Sequence, residues 1–183
     1  MFFVTVVTLN CMAKEVGSRE WVFLTYSLPR TPSAPRLALW RKLKRLGVAQ
    51  LADGLVALPA DARTREQLEW AADDAVAAGG TAGVWLARPT TRAQEREIAE
   101  AMNAARAREY RALIRATEAA LEAEADHARA LRRLRVENHR IRRRDFFRPP
   151  EREVARQALA RLAARAAPAP ESTADETQRG AAR

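Results

Sequence analysis

At 183 residues the chain is long enough for one ordinary domain, or a small one carrying a long appendage. Hydrophobic residues at 48% and charged residues at 30% allow a folded core and exclude wholesale disorder, while the lone cysteine, Cys11, excludes a disulfide framework and a multi-thiolate metal site. The net charge of +9 favours polyanionic partners, although all the basic residues but Lys14, Lys42 and Lys44 are Arg, as a GC-rich coding bias would also produce.

Met1 to Met12 is apolar through Phe2, Phe3, Val4, Val6, Val7 and Leu9, but shorter than the ~20 residues that span a bilayer. It lacks the basic leader and small-residue cleavage site of a secretory signal. Residues 1–19 are read as a disordered or mis-called N-terminus, and the protein as cytoplasmic with no membrane partner.

From Trp21 the punctuation is legible. Trp21 to Leu28 is aromatic and β-branched, as a buried strand is. Pro29, Pro32 and Pro35 mark a turn, Ser33 is a candidate N-cap, and a helix runs to Leu46, where Gly47 stops it. Asp53-Gly54 between the apolar runs Val48–Ala52 and Leu55–Leu58 predicts a two-residue hairpin. Thr64 to Ala78 carries Leu68, Ala71, Ala72 and Ala75 at helical spacing, Gly79-Gly80 ends it, and Thr81 to Arg88 reads as a fourth strand. The order β-α-β-β-α-β predicts an α+β fold with a ferredoxin-like domain over 20–89.

After Pro89 the character changes. Thr91 to about Asp126 has no Gly or Pro, and its apolar residues Ile98, Met102, Tyr110, Leu113, Ile114 and Leu121 recur at helical spacing. Thr91 with Gln94 predicts a capping box. His127 to Arg144 either continues this helix or folds back as a hairpin, and Glu151 to Ala166 is a last short helix after Pro149-Pro150. Residues 90–166 are thus a long helical extension, and 167–183 have the composition of a disordered tail.

The charge is not spread evenly. Residues 128–148 hold Arg129, Arg132, Arg133, Arg135, Arg140, Arg142, Arg143, Arg144 and Arg148 against Glu137 and Asp145, which accounts for most of the net +9. Arg129, Arg132, Arg133, Arg140, Arg142, Arg143 and Arg144 are the candidate phosphate-binding residues, with several on one helical face. The alternative is a solvated helix pairing with Glu118, Glu122, Glu124 and Asp126. Arg41, Lys42 and Arg45 share the polar face of the first helix opposite Leu39, Leu43 and Leu46, and form a second, smaller candidate patch. Phosphate contacts of this kind position a protein on nucleic acid without reading its sequence.

Catalytic chemistry is not expected. No Ser-His-Asp or Cys-His set assembles, and His127 and His139 are expected to face solvent. Asp73-Asp74 and Glu95/Glu97 do not converge on one site, and the first strand ends Thr25-Tyr26-Ser27-Leu28 without a metal-binding carboxylate. No catalytic residue, metal ligand or cofactor is assigned.

Trp21–Pro29, Arg36–Gly47 and Asp53–Pro59, followed by Glu66–Trp70, Gly79-Gly80, Ala87–Pro89, Ala107–Tyr110, Arg144–Phe147 and Pro149, resemble the N-terminal domain of ChrB chromate-resistance regulators. The first half is also similar to the ferredoxin-like middle domain of PaaX transcriptional repressors. The resemblance implies a cytoplasmic DNA-binding regulator of a chromate efflux operon, working as a homodimer. Against full-length relatives the chain is expected to be without the C-terminal sensor half, and a separately encoded sensor protein is an expected alternative partner. It also implies packing roles for Trp21, Tyr26, Trp40, Trp70 and Trp85, and a structural pin at Phe146-Phe147 with a stacking pair as the alternative. Two further readings stay open beside DNA binding: a non-enzymatic dimerisation or sensor-docking module, and direct capture of an oxyanion by clustered Arg.

Overall fold

The computed structural model describes residues 20–123 and 126–167. The readings of 1–19 and of the tail beyond 167 lie outside the described residues. The elements are β1 (Trp21–Ser27), α1 (Ala34–Leu46), β2 (Ala49–Ala52), β3 (Leu55–Pro59), α2 (Ala62–Ala77), β4 (Thr81–Ala87), α3 (Arg92–Glu122), α4 (His127–Arg142) and α5 (Glu151–Ala166). The chain is α+β: an antiparallel sheet of order β2-β3-β1-β4, the ferredoxin-like arrangement, followed by helices. The described residues fall into two compact units, one of 20–44 and 48–98, the other of 45–47 and 99–167.

In the first unit Val22 and Leu24 of β1 stand opposite Leu58 and Val56 of β3, and all four are buried. Leu39 and Leu43 of α1, with Leu68, Ala71 and Ala75 of α2, are the buried stripes of the two helices. Each fully buried Leu or Val contributes about 1.5–3 kcal/mol, so burial of these stripes, more than intrinsic propensity, holds the helices. The hairpin turns at Asp53-Gly54 as the sequence predicts. Gly54 has φ +73°, and a Cβ there would stand 2.3 Å from the Tyr26 carbonyl oxygen, so only glycine fits. The helix α2 starts two residues earlier than expected, at Ala62 instead of Thr64, because Asp61 caps it. Asp61 Oδ1 accepts from the Thr64 N–H at 2.6 Å, and the Thr64 hydroxyl accepts from the Asp61 N–H at 2.9 Å.

Packing roles hold for Trp21, which is fully buried, and in part for Tyr26, which is half-buried. They fail for Trp40, Trp70 and Trp85, which are 46%, 54% and 58% exposed. Position overrides residue type here. Trp40 is one step of 100° from Leu39 and lies outside the apolar stripe of α1, with the Lys44 ammonium 4.8 Å from its ring centroid. Trp70 is on the outer side of α2, and Trp85 is on an edge strand.

In the second unit the chain breaks after α3 instead of continuing. Asp126 caps α4, its Oδ1 accepting from the Arg129 N–H at 2.9 Å. At the start of α3, Thr91 Oγ1 accepts from the Gln94 N–H at 3.2 Å, but the Gln94 side chain bonds to Thr90, so only half of the expected capping box forms. Tyr110 and Leu113 of α3, Leu131, Leu134 and Ile141 of α4, and Ala155, Leu159 and Leu162 of α5 form one buried cluster.

The connection from α4 to α5 turns on Asp145, whose side chain is fully buried. The Tyr110 hydroxyl donates to its Oδ2 at 2.9 Å, Arg152 Nη1 reaches the same oxygen at 3.4 Å, and the Arg148 N–H donates to Oδ1 at 2.8 Å. The last bond holds Arg148 at φ +53°, a conformation that residues with a Cβ rarely adopt. Outside this hub, Arg111 of α3 donates twice to Glu151 Oε1 at the start of α5, at 3.0 and 2.7 Å.

Replacing Asp145 by Ala leaves the Tyr110 hydroxyl buried without a partner and frees the positive-φ turn at Arg148 from the bond that holds it. The expected cost is about 2–4 kcal/mol, read as a lowered urea midpoint. Both tyrosines of the chain have their phenol pushed up, Tyr110 by burial and then by Asp145, Tyr26 by burial and then by Asp53. The neutral phenol is favoured in the folded state, so its stabilising contribution is whole below the ordinary tyrosine pKa of ~10 and is lost as pH rises above it. Tyrosinate absorbance should therefore develop at higher pH in the native protein than in urea, with falling stability over the same alkaline range.

Candidate nucleic-acid interface

The helix α4 is divided sharply into two faces. Leu131, Leu134 and Ile141 are buried in the helical cluster. At 100° per residue the opposite face carries Arg129, Arg132, Val136, His139, Arg140 and Arg143, with Arg133 on one flank and Arg135 and Arg142 on the other. All nine are exposed. The separation follows from sequence spacing, because Leu131, Leu134 and Ile141 recur on the core side of α4, with His127 and Asn138 half-buried beside them, while no arginine of the helix falls there.

The acidic alternative is not what the geometry brings together. Asp126 is occupied as the α4 cap, and Glu118 and Glu122 make no ion pair among the described residues. Glu124 lies outside the described residues. Arg140 is paired with Glu137 at 3.3 Å, whereas Arg129, Arg132, Arg133, Arg135 and Arg142 make no ion pair among the described residues. From Arg129 to Arg143 this face extends about 21 Å at 1.5 Å per residue. Duplex DNA carries roughly a dozen phosphates over that length, both strands counted.

Arg144 departs from the face to which its neighbour Arg143 belongs. It lies just past the end of α4 and is only 20% exposed, with Nη2 3.1 Å from Glu109 Oε2. Glu109 also holds Arg106, 3.1 Å away, whose guanidinium pKa is lowered chiefly by burial, with Glu109 opposing that shift. Two guanidiniums sharing one carboxylate form a structural network on α3, so Arg144 serves packing rather than the exposed surface.

The patch on α1 also divides. Lys42 Nζ is 2.5 Å from Asp74 Oδ2 and donates to the Trp70 carbonyl at 3.1 Å, so it ties α1 to α2. Arg41 and Arg45 remain exposed. The residue that sequence reasoning leaves out of the candidate set is Arg135, and its seven-residue spacing from Arg142 is the signal that could have found it. His139 faces solvent as expected, but His127 is half-buried with Nε2 enclosed and unpartnered among the described residues. Phe146 and Phe147 are half-buried in the connection after α4. No group of three or more metal-ligating side chains forms among the described residues, and no helix there is long and apolar enough to cross a membrane.

Comparison with known proteins adds an independent line. The family model described as "Protein ChrB, N-terminal" matches residues 36–176. Over 66 residues, 36% of this chain, the sequence is 38% identical to Protein ChrB of Cupriavidus metallidurans. That match spans about a fifth, 20%, of the relative's own length. No solved structure gives a significant match.

The two kinds of arginine should separate by mutation. Arg144→Ala removes one of two cations that Glu109 holds and should cost about 1–2 kcal/mol in urea denaturation. Arg132→Ala should stay within about 0.5 kcal/mol of the parent, as a solvated side chain does.

Proposed function

The chain belongs to the family of ChrB N-terminal domains, and we propose that it is a DNA-binding transcriptional regulator related to chromate-resistance regulators, gripping the phosphate backbone with the exposed face of α4. The observation that carries this reading is the set of five arginines, Arg129, Arg132, Arg133, Arg135 and Arg142, exposed on one 16-residue helix without ion-pair partners among the described residues. Guanidinium groups suit the task because they stay charged and bond phosphate oxygens in pairs. Each phosphate they neutralise releases condensed counterions, which makes the binding salt-dependent. Arg140 and Arg143 extend the same face, and Arg41 and Arg45 supply a secondary contact. In this reading the partner is duplex DNA, the protein works in the cytoplasm as a homodimer, and no catalysis is involved. Sequence preference comes from contacts other than these phosphate grips.

A second reading, docking of a separately encoded sensor protein, is favoured by the exposed Trp40 and Trp70 on the helices of the sheet unit. Large exposed aromatics are common anchors at protein interfaces.

Fluorescence anisotropy against DNA from the gene's own upstream region, at several salt concentrations, distinguishes the two. The triple variant Arg129→Ala, Arg132→Ala, Arg133→Ala should flatten the slope of log affinity against log salt by about 2–3, near one unit for each phosphate no longer neutralised. Unchanged affinity and slope in that variant would remove α4 from the interface. Absence of DNA binding at low salt in the parent protein would leave sensor docking as the better reading.

A further inference from the structure

The sheet has two edges, β2 and β4, and they are built differently. β2 has four residues and a register shift between Gln50 and Ala52. A short, bulged strand is a common way to blunt an edge against pairing. β4 carries no such protection. Its seven residues, Thr81–Ala87, include no charge and no proline, and they pair with β1 in unbroken register from Ser27↔Thr81 to Trp21↔Ala87. Among the described residues its outer edge has no backbone partner. At ~3.4 Å per residue it offers about 24 Å of unpaired N–H and C=O groups.

The borders of this edge are mostly apolar, with the exposed Arg88 following Ala87 at its end. Trp85 is exposed on one face of the sheet and Leu86, 52% exposed, on the other. The helix α2 turns Asp74 toward α1, so by 100° steps its opposite flank carries Arg65, Ala72 and Val76. Arg65 is already neutralised by Glu69 at 2.8 Å, and Val76 is more than half exposed. In a chain of net charge +9, self-association over most surfaces brings like charges together. At β4 it does not.

We propose that β4 is the surface through which two copies of this chain pair, antiparallel about a two-fold axis at Val84, joining two four-stranded sheets into one of eight strands. This inference does not depend on DNA binding. In that register Val84 faces its own counterpart, Ala82 faces Leu86, and Gly83 faces Trp85 of the second copy. Gly83 is what makes the last pairing fit. The Trp85 indole lies against its own Gly83, where a Cβ would come 3.1 Å from Nε1, and is pinned by donating to Thr25 Oγ1 at 3.2 Å. With no side chains at either Gly83, the two indoles become diagonal neighbours across the axis on one face, within reach of each other. A second copy is the occupant that meets these terms at once, since it brings an uncharged strand of the same length and the complementary glycine and indole in the required order.

The test is sedimentation equilibrium of the full chain together with cysteine cross-linking in a Cys11→Ser background. The parent should sediment at twice the chain mass. Leu86→Lys should weaken association at least about tenfold. Adding Ala82→Glu to it should restore the dimer, because each lysine then faces a glutamate of the second copy. Val84→Cys should form an intermolecular disulfide under mild oxidation, since only this position of β4 faces itself, and Leu86→Cys should not. A parent that stays monomeric at every concentration reached, a dimer indifferent to Leu86→Lys, or cross-linking at 86 without cross-linking at 84 would each overturn the proposal. So would a different protein bound at β4 by a chain that does not self-associate.

Discussion

The helical unit is organised around one buried carboxylate. Asp145 receives the Tyr110 hydroxyl from α3, the Arg148 N–H from its own turn, and Arg152 from α5, so a single charged group fixes three segments. A carboxylate buried without such partners would be expensive; with them, the low-polarity surroundings strengthen each bond. The consequence for α4 is indirect but decisive. With the turn after it locked and Leu131, Leu134 and Ile141 seated against α3 and α5, its remaining surface is left to solvent and to the arginines.

Charge in this molecule is sorted by the partners that the fold brings within reach. Arg143 and Arg144 are neighbours in sequence, but the first is exposed and the second is drawn to Glu109 just past the helix terminus. Lys42 is likewise consumed by Asp74, while Arg41 and Arg45 are not buried. A basic cluster counted from sequence is therefore an upper bound on a basic surface. What survives the subtraction on α4 is a line of guanidiniums whose form suits a polyanion rather than a single small ligand.

Much of the fold is legible in the sequence because its stops are chemical. Gly47 and Gly54 both take positive φ where the sequence predicts a helix stop and a hairpin, and Pro149-Pro150 precede a final helix with the bounds read from sequence. The break between α3 and α4 is not decided by pattern, because alanine, glutamate and arginine run through it with helical periodicity, and Asp126 as a cap is a local signal that periodicity does not register. The cap of α2 escapes sequence reading for a related reason: Thr64 has the right chemistry, but it is the buried third residue of a box begun by Asp61. The tryptophans show the limit of reading burial from residue type, since Trp40, Trp70 and Trp85 each sit one position outside an apolar stripe or on an edge. For the candidate interface, the spacing of the arginines on α4 is readable, whereas the removal of Arg144 and Lys42 depends on partners distant in sequence.

The central claim is that the exposed arginines of α4 meet nucleic-acid phosphate. Arginine footprinting addresses it residue by residue: modification with a dicarbonyl reagent, with and without upstream DNA, read by mass spectrometry. The account predicts that DNA protects Arg129, Arg132, Arg133, Arg135 and Arg142, while exposed arginines of the sheet unit such as Arg30 and Arg88 keep their reactivity. Protection that is absent from α4, or spread evenly over all exposed arginines, would contradict it.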